Sequence, residues 1–252
     1  MALTANFLTP PPIAPNSICA LNCSVDRIIG STLASASALL IGTNWLVFLW
    51  AVETNRILDT SLGYYINPLI NVLFGMVLLG ERLRPLQIAA VLLAAAGVLQ
   101  LAIAFASLPW ISLVLAVTFG LYGLVRKVAP VQPLVGFTLE TALLAPLGGA
   151  FLLFVHGSGN EAVSDGPIGV KALIAFSGFF TAAPLLCFNS AAKRLRLSSV
   201  GLFQFIAPTL AFLIAVALYG EPFTRAHGIT FACVWLALAI YILDSARAAR
   251  GV

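Results

Sequence analysis

The stretch NPLINVLFGMVLLGE at residues 67–81 decides the fold, because it returns in altered form as APTLAFLIAVALYGE at residues 207–221. In both copies a proline is followed twelve positions later by Gly-Glu, and the copies lie 140 residues apart. Each copy is an apolar run of helical length that ends in Gly-Glu. Self-similarity at a fixed offset predicts an internally repeated architecture, so we expect two related units of apolar helices.

The composition predicts that these helices lie in a membrane. The chain is 61% hydrophobic and only 9% charged, with a mean hydropathy of +1.04, whereas soluble domains carry about 25% charged residues. A helix needs about 20 apolar residues to cross a bilayer core of about 30 Å. Eight such segments predict an all-α, polytopic membrane helix bundle. The segments are 31–52, 60–79, 86–105, 109–125, 135–155, 171–190, 198–218 and 227–244.

The basic residues predict topology. The net charge is +4, but the Lys and Arg residues lie in short clusters between apolar runs, so we expect no nucleic-acid partner. Ten of the 13 fall on one side of the predicted bundle, and only Arg56, Lys171 and Arg225 fall on the other. Loops rich in Lys and Arg stay in the cytoplasm. We therefore expect a multi-pass protein of the inner (plasma) membrane with both termini cytoplasmic.

The two copies are predicted to be inverted. The second copy has two upstream segments, 109–125 and 135–155, that the first copy lacks. The simplest interpretation is a duplicated five-helix unit whose first copy has lost two helices, and an odd number of helices per unit inverts the second copy. Inverted repeats recur in secondary transporters.

The predicted organisation is a disordered Pro- and Ser-rich tail (1–30), a three-helix first repeat (31–105), a five-helix second repeat (106–245) and a cytoplasmic tail (246–252).

The run TNWLVFLWAVETNRILDTSLGYYINPLINVLFGMVLLGERL at residues 43–83 resembles the RarD-type permeases, which belong to the EamA-domain branch of the drug/metabolite transporter superfamily. The runs SLPWISLVLAVTFGLYGLVRK at 107–127 and FTLET at 137–141 are similar to the same group. The resemblance covers residues 31–245. It implies ten helices as five plus five, cytoplasmic ends and a central cavity, and against that pattern the first two helices are missing.

Glu140 is the only carboxylate clearly inside an apolar run. An ionised acid at the centre of a membrane helix costs about 2.5–3.5 kcal/mol, so it needs a partner or a wet cavity. Two interpretations stay open. Glu140 faces a cavity and binds a proton or a cationic solute group, or it pairs with Arg126 or Lys127 at the cytoplasmic end.

Polar and aromatic residues of the repeated helices are candidates for the substrate path. Amides in lipid need hydrogen-bond partners, so these residues either line a path or hold helices together, and Trp and Tyr near helix ends also anchor helices at the interface. Pro68 and Pro208 each remove a backbone hydrogen bond and act either as hinges or as static kinks. Besides Glu140, the substrate-path candidates are Asn44, Trp45, Trp50, Tyr64, Tyr65, Asn67, Asn71, Asn189 and Gln204.

The sequence gives little support for ATP binding or for a zinc site. Gly120 and Gly123 are not followed by the Gly-Lys-Ser/Thr of an ATP-binding loop, and Cys19 and Cys23 have no second pair for a zinc site. Glu81 is expected to cap a helix or to pair locally with Arg84. We therefore expect no cofactor, no metal and no enzymatic activity.

The predicted function is secondary transport, most simply export, of a small metabolite or drug-like solute by alternating access. The expected partners are that solute and the lipid bilayer, with a homodimer left open. One alternative is a transport-inactive remnant or accessory membrane protein, because half of the first repeat is missing. An intramembrane lipid enzyme is the weaker alternative, since that class usually needs a cluster of acids, histidines or metal at membrane depth.

Overall fold

The computed structural model describes residues 15–104, 110–157, 167–219 and 225–250. Within these ranges all regular structure is α-helical, which confirms the predicted all-α bundle. Nine helices lie in the described ranges: α1 (Pro15–Glu53), α2 (Ile57–Val77), α3 (Pro85–Ala104), α4 (Trp110–Val128), α5 (Pro133–Gly157), α6 (Ile168–Arg194), α7 (Leu197–Phe203), α8 (Ile206–Tyr219) and α9 (Arg225–Arg250).

Six helices among the described residues are long and apolar enough to cross a membrane. They account for six of the eight predicted segments, and the other two, 60–79 and 198–218, correspond to α2 and to α7 with α8. Large apolar side chains face outward, as at Leu153 and Phe154, each 74% exposed. A surface of this kind suits hydrocarbon and not water. The spans are Gly30–Glu53, Pro85–Ala104, Trp110–Val128, Pro133–Phe154, Lys171–Arg194 and Arg225–Ala248.

The first helix begins earlier than the sequence predicts. Residues 1–30 are predicted to form a disordered tail, yet α1 starts at Pro15. Proline at the first helical position is pre-organised for a helix, and residues 16–29 contain neither Gly nor Pro. The tail prediction is therefore corrected for residues 15–30, and residues 1–14 lie outside the described ranges.

The segment 198–218, predicted as one helix, is two helices. α7 ends at Phe203 and α8 begins at Ile206. Pro208 has no N–H to bind the carbonyl of Gln204 four residues earlier, and the backbone N–H of Ala207 donates to that carbonyl instead, at 3.2 Å. The chain therefore turns at residues 204–205, and the side chain of Gln204 lies at the break.

The repeat offset is kept in the helix boundaries. α2 and α7 begin at Ile57 and Leu197, and α3 and α9 begin at Pro85 and Arg225, so both pairs are 140 residues apart. Helices that correspond in this way also pack on each other, α2 against α7 and α3 against α9. Contact between equivalent helices is the arrangement expected of two copies related by a two-fold axis.

Small residues let α3 and α9 approach closely. Ala90, Ala94 and Gly97 are buried on α3, and the hydroxyl of Thr230 donates to the Gly97 carbonyl oxygen at 2.9 Å. A Cβ added at Gly97 would lie 2.7 Å from the Cβ of Cys233. Close backbone contact of this kind replaces hydrophobic association, which is weak between helices in lipid.

Candidate functional site

A cavity of about 480 Å³ lies inside the bundle. It is partly open, and its wall is formed by α1, α2, α4, α6 and the break between α7 and α8, so both predicted repeats contribute to it. Small-molecule sites have volumes of about 300–1,000 Å³. Among its lining residues in the described part of the chain, none is Asp, Glu, Lys, Arg or His. The cavity is therefore an uncharged site of the size of a small solute.

Aromatic rings form a large part of the cavity wall. The centroids of Trp45 and Phe48 are 5.7 Å apart, and those of Phe48 and Tyr64 are 6.2 Å apart, in edge-to-face geometry. Phe119 of α4 and Phe188 of α6 are 5.0 Å apart. All five rings line the cavity. Their faces and edges offer flat apolar surface to another ring.

Three side-chain amides meet where α2 faces the α7–α8 break. Asn67 and Asn71 lie one turn apart on α2, and each donates a hydrogen bond from Nδ2 to Oε1 of Gln204, at 3.4 and 2.6 Å. Asn67 and Gln204 line the cavity. Among the described residues, Oδ1 of Asn67 and Oδ1 of Asn71 are buried without a hydrogen-bond partner. The cluster joins the two repeats and leaves buried amide oxygens unused.

Asn44 supplies a fourth amide from α1. Its Nδ2 donates to the Leu115 carbonyl oxygen at 2.9 Å and to Oγ1 of Thr118 at 2.8 Å, both on α4. Both N–H groups are then used, and the remaining polar atom is the carbonyl oxygen, an acceptor. Asn44 also lines the cavity, so it both fastens α1 to α4 and contributes polarity to the site.

A buried charge network lies beside the cavity. Glu140 of α5 accepts hydrogen bonds from Oγ of Ser37 at 2.5 Å and from the hydroxyl of Tyr122 at 3.1 Å. The guanidinium Nη1 of Arg126 is 3.4 Å from Oε1 of Glu140, and Asn189 donates to the Tyr122 hydroxyl at 2.8 Å. The network connects α1, α4, α5 and α6, and it satisfies a carboxylate that would otherwise be costly in the membrane.

The packing around Arg126 leaves its guanidinium little freedom. Arg126 and Glu140 are 1% and 2% exposed, and Nη2 of Arg126 donates to the Pro133 carbonyl oxygen at 2.8 Å. A Cβ added at Gly136 would overlap Nη1 of Arg126. The pair is a dry, enclosed ion pair, in which removal of one partner strands the other charge.

The structure brings most of the predicted candidates together and separates some. Asn44, Trp45, Tyr64, Asn67, Gln204 and Pro208 line the cavity. Asn71 joins the amide cluster without lining the cavity, and Glu140 and Asn189 belong to the charge network beside it. Of the two interpretations of Glu140, the geometry matches the pairing with Arg126.

Three candidates lie away from the cavity. Trp50 packs against Trp110, with ring centroids 5.7 Å apart, near the helix ends. Tyr65 is buried in the apolar core that α2 shares with α3 and α9. Pro68 is buried, and its carbonyl oxygen faces Gly201 of α7.

Several site residues escaped the sequence analysis. Thr60, Phe119 and Phe188 line the cavity, and Ser37 and Tyr122 bind Glu140. Phenylalanine is common in membrane helices, so its type alone does not distinguish a cavity from a lipid face. Ser37 lies 103 positions from Glu140, and no local pattern links them.

Comparison with known proteins agrees with this picture. The chain is 46% identical over 213 residues to the protein RarD of Escherichia coli, a match that covers 84% of this chain and 72% of that protein. It is 48% identical over 224 residues to an uncharacterized transporter of Pseudomonas aeruginosa, covering 86% of this chain and 72% of that protein. A solved crystal structure with 22% identity covers 85% of both chains with a TM-score of 0.59, which shows a shared fold. No family model matches the chain.

Helices fit for a membrane, an interior cavity and transporter relatives together define a multi-pass transporter of the inner membrane. The identity to RarD over most of both sequences narrows this class to one family, the RarD-type permeases, to which the chain belongs.

Proposed function

We propose that the chain is a secondary transporter that exports a small metabolite or drug-like solute, which binds in the cavity between the two repeats. The observation that carries the proposal is the cavity itself. It has the volume of a small solute, it lies between helices of both repeats, and its wall combines aromatic rings with amides. Transporters built from inverted repeats hold their solute at this kind of interface.

Alternating access needs a place where the helices can bend, and the α7–α8 break provides it. A turn that lacks one helical hydrogen bond changes its backbone angles at low cost. Gln204 at this turn lines the cavity and binds Asn67 and Asn71 of α2 directly, so bending there moves an amide of the wall. Pro208 follows the turn and lines the cavity. We assign hinge function to this break, whereas Pro68 lies in an unbroken helix against α7.

The charge network is suited to hold one end of the cavity closed. Tyr122 donates to Glu140 and stacks on Phe188 of the cavity wall, with ring centroids 6.3 Å apart. Arg126 and Glu140 join α4 to α5, and Ser37 adds α1. Opening the bundle at this end would require the pair to separate, which a buried ion pair opposes. In this proposal Glu140 positions helices and does not touch the solute.

Contacts at one end of the bundle support cytoplasmic termini. Oε1 of Glu81 accepts a hydrogen bond from the backbone N–H of Leu197 at 2.6 Å, and Nη1 of Arg84 is 3.8 Å from Oδ2 of Asp244. Of the two predicted alternatives for Glu81, the local pair with Arg84 is not formed in the described part of the chain, and the carboxylate instead caps α7 by accepting from its first backbone N–H groups. The loops that carry Arg82 and Arg84, the start of α7 and the end of α9 lie at the same end, and such basic loops are cytoplasmic.

Reporter fusions after Arg82 and after Leu195 test this topology. We expect both fusions to report a cytoplasmic location. A periplasmic signal from only one of them would contradict the inverted arrangement, because it would put two loops that touch in the structure on opposite faces of the membrane, and periplasmic signals from both would contradict the cytoplasmic termini.

Export is tested with a variant that fills the cavity. Ala207 lines the cavity, and Ala207→Trp would occupy it, whereas Leu153→Trp adds the same ring on α5, where Leu153 is 74% exposed. Each chain is expressed in a bacterium that lacks its own relative, and the medium is profiled by untargeted mass spectrometry. We expect at least one solute to accumulate with the unchanged chain and with Leu153→Trp, and not with Ala207→Trp.

The same experiment separates the transporter from a transport-inactive remnant. An inactive chain would leave the medium unchanged in every strain, although the protein is present in the membrane. Uptake of the identified solute into inside-out vesicles then gives the direction, since an exporter concentrates its solute in vesicles of that orientation.

A further inference from the structure

A buried amide oxygen in the cavity wall has no protein partner among the described residues. Asn67 is 8% exposed, it lines the cavity, and its Oδ1 has no hydrogen-bond partner. An unpaired buried acceptor costs about 1–3 kcal/mol, and native structures contain few of them. The oxygen is buried, so a bound molecule supplies the missing donor when the side chain of Asn67, which lines the cavity, turns its oxygen toward it.

The other hydrogen bonds of the amide cluster show which groups remain for a ligand. Asn67 and Asn71 both donate to Oε1 of Gln204, so the amide nitrogen of Gln204 is left as a donor at the cavity. Asn44 uses its nitrogen on α4 and keeps its oxygen. The wall therefore offers acceptors from Asn67 and Asn44 and a donor from Gln204. A ligand group that both donates and accepts hydrogen bonds fits such a wall. It still fits when one of the side-chain amides of the wall rotates by half a turn and exchanges the positions of its oxygen and its nitrogen.

The rest of the wall favours an uncharged ring. The residues that line the cavity in the described ranges carry no formal charge, and rings from α1, α2, α4 and α6 surround it. Moving an isolated carboxylate or ammonium into such a site is costly without an opposite charge. An aromatic ring, in contrast, gains edge-to-face contacts with Trp45, Phe48 or Phe119.

We propose that the cavity binds uncharged aromatic solutes that carry a carboxamide or a similar group able both to donate and to accept hydrogen bonds. The amide group of the solute donates to Oδ1 of Asn67 and accepts from the amide nitrogen of Gln204, while its ring lies among the aromatic side chains. This inference rests on the proposed function and names the chemical class of the solute.

A matched series of naphthalene compounds tests the class on the unchanged full chain in lipid nanodiscs. Radiolabelled 2-naphthamide is measured by equilibrium dialysis against empty nanodiscs, which correct for partition into lipid. Unlabelled 2-naphthoate, 2-naphthylmethylammonium and N,N-dimethyl-2-naphthamide are the competitors. They replace the amide by an anion, by a cation and by an amide without a donor. We expect each competitor to bind about tenfold or more weakly than 2-naphthamide, because each lacks a required hydrogen bond or adds a buried charge.

Two variants locate the binding. Asn67→Leu removes the unpaired oxygen, and we expect it to weaken 2-naphthamide about tenfold while it leaves the dimethyl compound unchanged. Thr138→Val is the control, because Thr138 is exposed on α5 and its hydroxyl binds only the Leu134 carbonyl of its own helix in the described structure. Equal affinities across the series, tighter binding of either ion, or no binding of 2-naphthamide would overturn the inference.

The two proposals fail separately. Binding of the series without any export would refute the proposed function and keep the chemistry of the cavity. Export of a charged solute through the cavity would refute the solute class and keep the transporter.

Discussion

Replacing Glu140 by Gln removes the negative charge of the buried pair and leaves Arg126 charged in a dry site. The two side chains are 2% and 1% exposed, and Nη1 of Arg126 lies 3.4 Å from Oε1 of Glu140. At that distance and an effective dielectric constant of about 20, the attraction is about 5 kcal/mol. Ser37 and Tyr122 donate to different oxygens of Glu140, so the single amide oxygen of Gln keeps one of these two hydrogen bonds, and the loss of the charge is added to the loss of the other. We expect Glu140→Gln to lower the free energy of unfolding by about 3–5 kcal/mol.

The measurement is equilibrium unfolding of the purified chain in mixed micelles with increasing SDS. Asp59→Asn is the matched control, because Nε of Arg56 and Oδ2 of Asp59 are also 3.4 Å apart, but their side chains are 42% and 14% exposed. Exposed pairs contribute about 0–1 kcal/mol, so distance is held constant while burial changes.

The double variant Arg126→Met with Glu140→Gln completes the design. Removing both charges leaves no unpaired charge in the site, so we expect the double variant to recover most of the stability that Glu140→Gln loses. The reasoning is refuted if Glu140→Gln is as stable as the unchanged chain, or if the double variant is no more stable than the single one. Loss of export without loss of stability would instead assign Glu140 to the solute or to a coupling proton.

Two further predictions concern the junction of α2, α3 and α7. Gly201→Ala should destabilise the fold by about 1–3 kcal/mol in the same unfolding assay, because its Cβ would lie 2.6 Å from the Pro68 carbonyl oxygen. The control Gly148→Ala, whose Cβ would have nothing within 4 Å, should stabilise the fold by about 0.5–1 kcal/mol. Equal effects of the two substitutions would contradict the close packing at Gly201. The pKa of Glu81 is affected by burial, which raises it, but hydrogen bonds from Ser198 and from the Leu197 backbone outweigh burial and lower the pKa below 4.5. A lowered folded pKa stabilises the fold above about pH 4.5, and this stability is lost as the pH falls through the folded value. The melting temperature should therefore fall more steeply on acidification for the unchanged chain than for Glu81→Gln, and parallel curves would contradict this.

The residues near the cavity show which parts of the site can be predicted from sequence patterns. Tyr64 and Asn67 share a face of α2 by helical spacing, and both line the cavity. Gln204 lies 140 positions after Tyr64, so the repeat offset makes the two positions equivalent, and Gln204 also lines the cavity. Spacing and repeat offset are properties of the chain itself, so they can be read without coordinates.

Other features depend on contacts between distant residues. The sequence predicts one helix over 198–218, with Pro208 as a hinge or a static kink inside it. Whether a proline kinks a helix or ends it depends on which neighbours satisfy the freed carbonyl. In α2, Pro68 lies within a continuous helix, and before α8 the N–H of Ala207 takes the carbonyl of Gln204.

The sequence by itself determined that the chain is a bundle of membrane helices with an internal repeat, because hydropathy and periodicity are local and additive along the chain. For Glu140 it left two interpretations, a cavity-facing acid or an acid paired with Arg126 or Lys127. Only the tertiary structure decided that Glu140 pairs with Arg126, that Trp50 and Tyr65 lie apart from the cavity, and that one oxygen of Asn67 stays unpaired in its wall. These outcomes depend on how helices far apart in sequence cross, and the helices themselves carry no pattern that specifies the crossing.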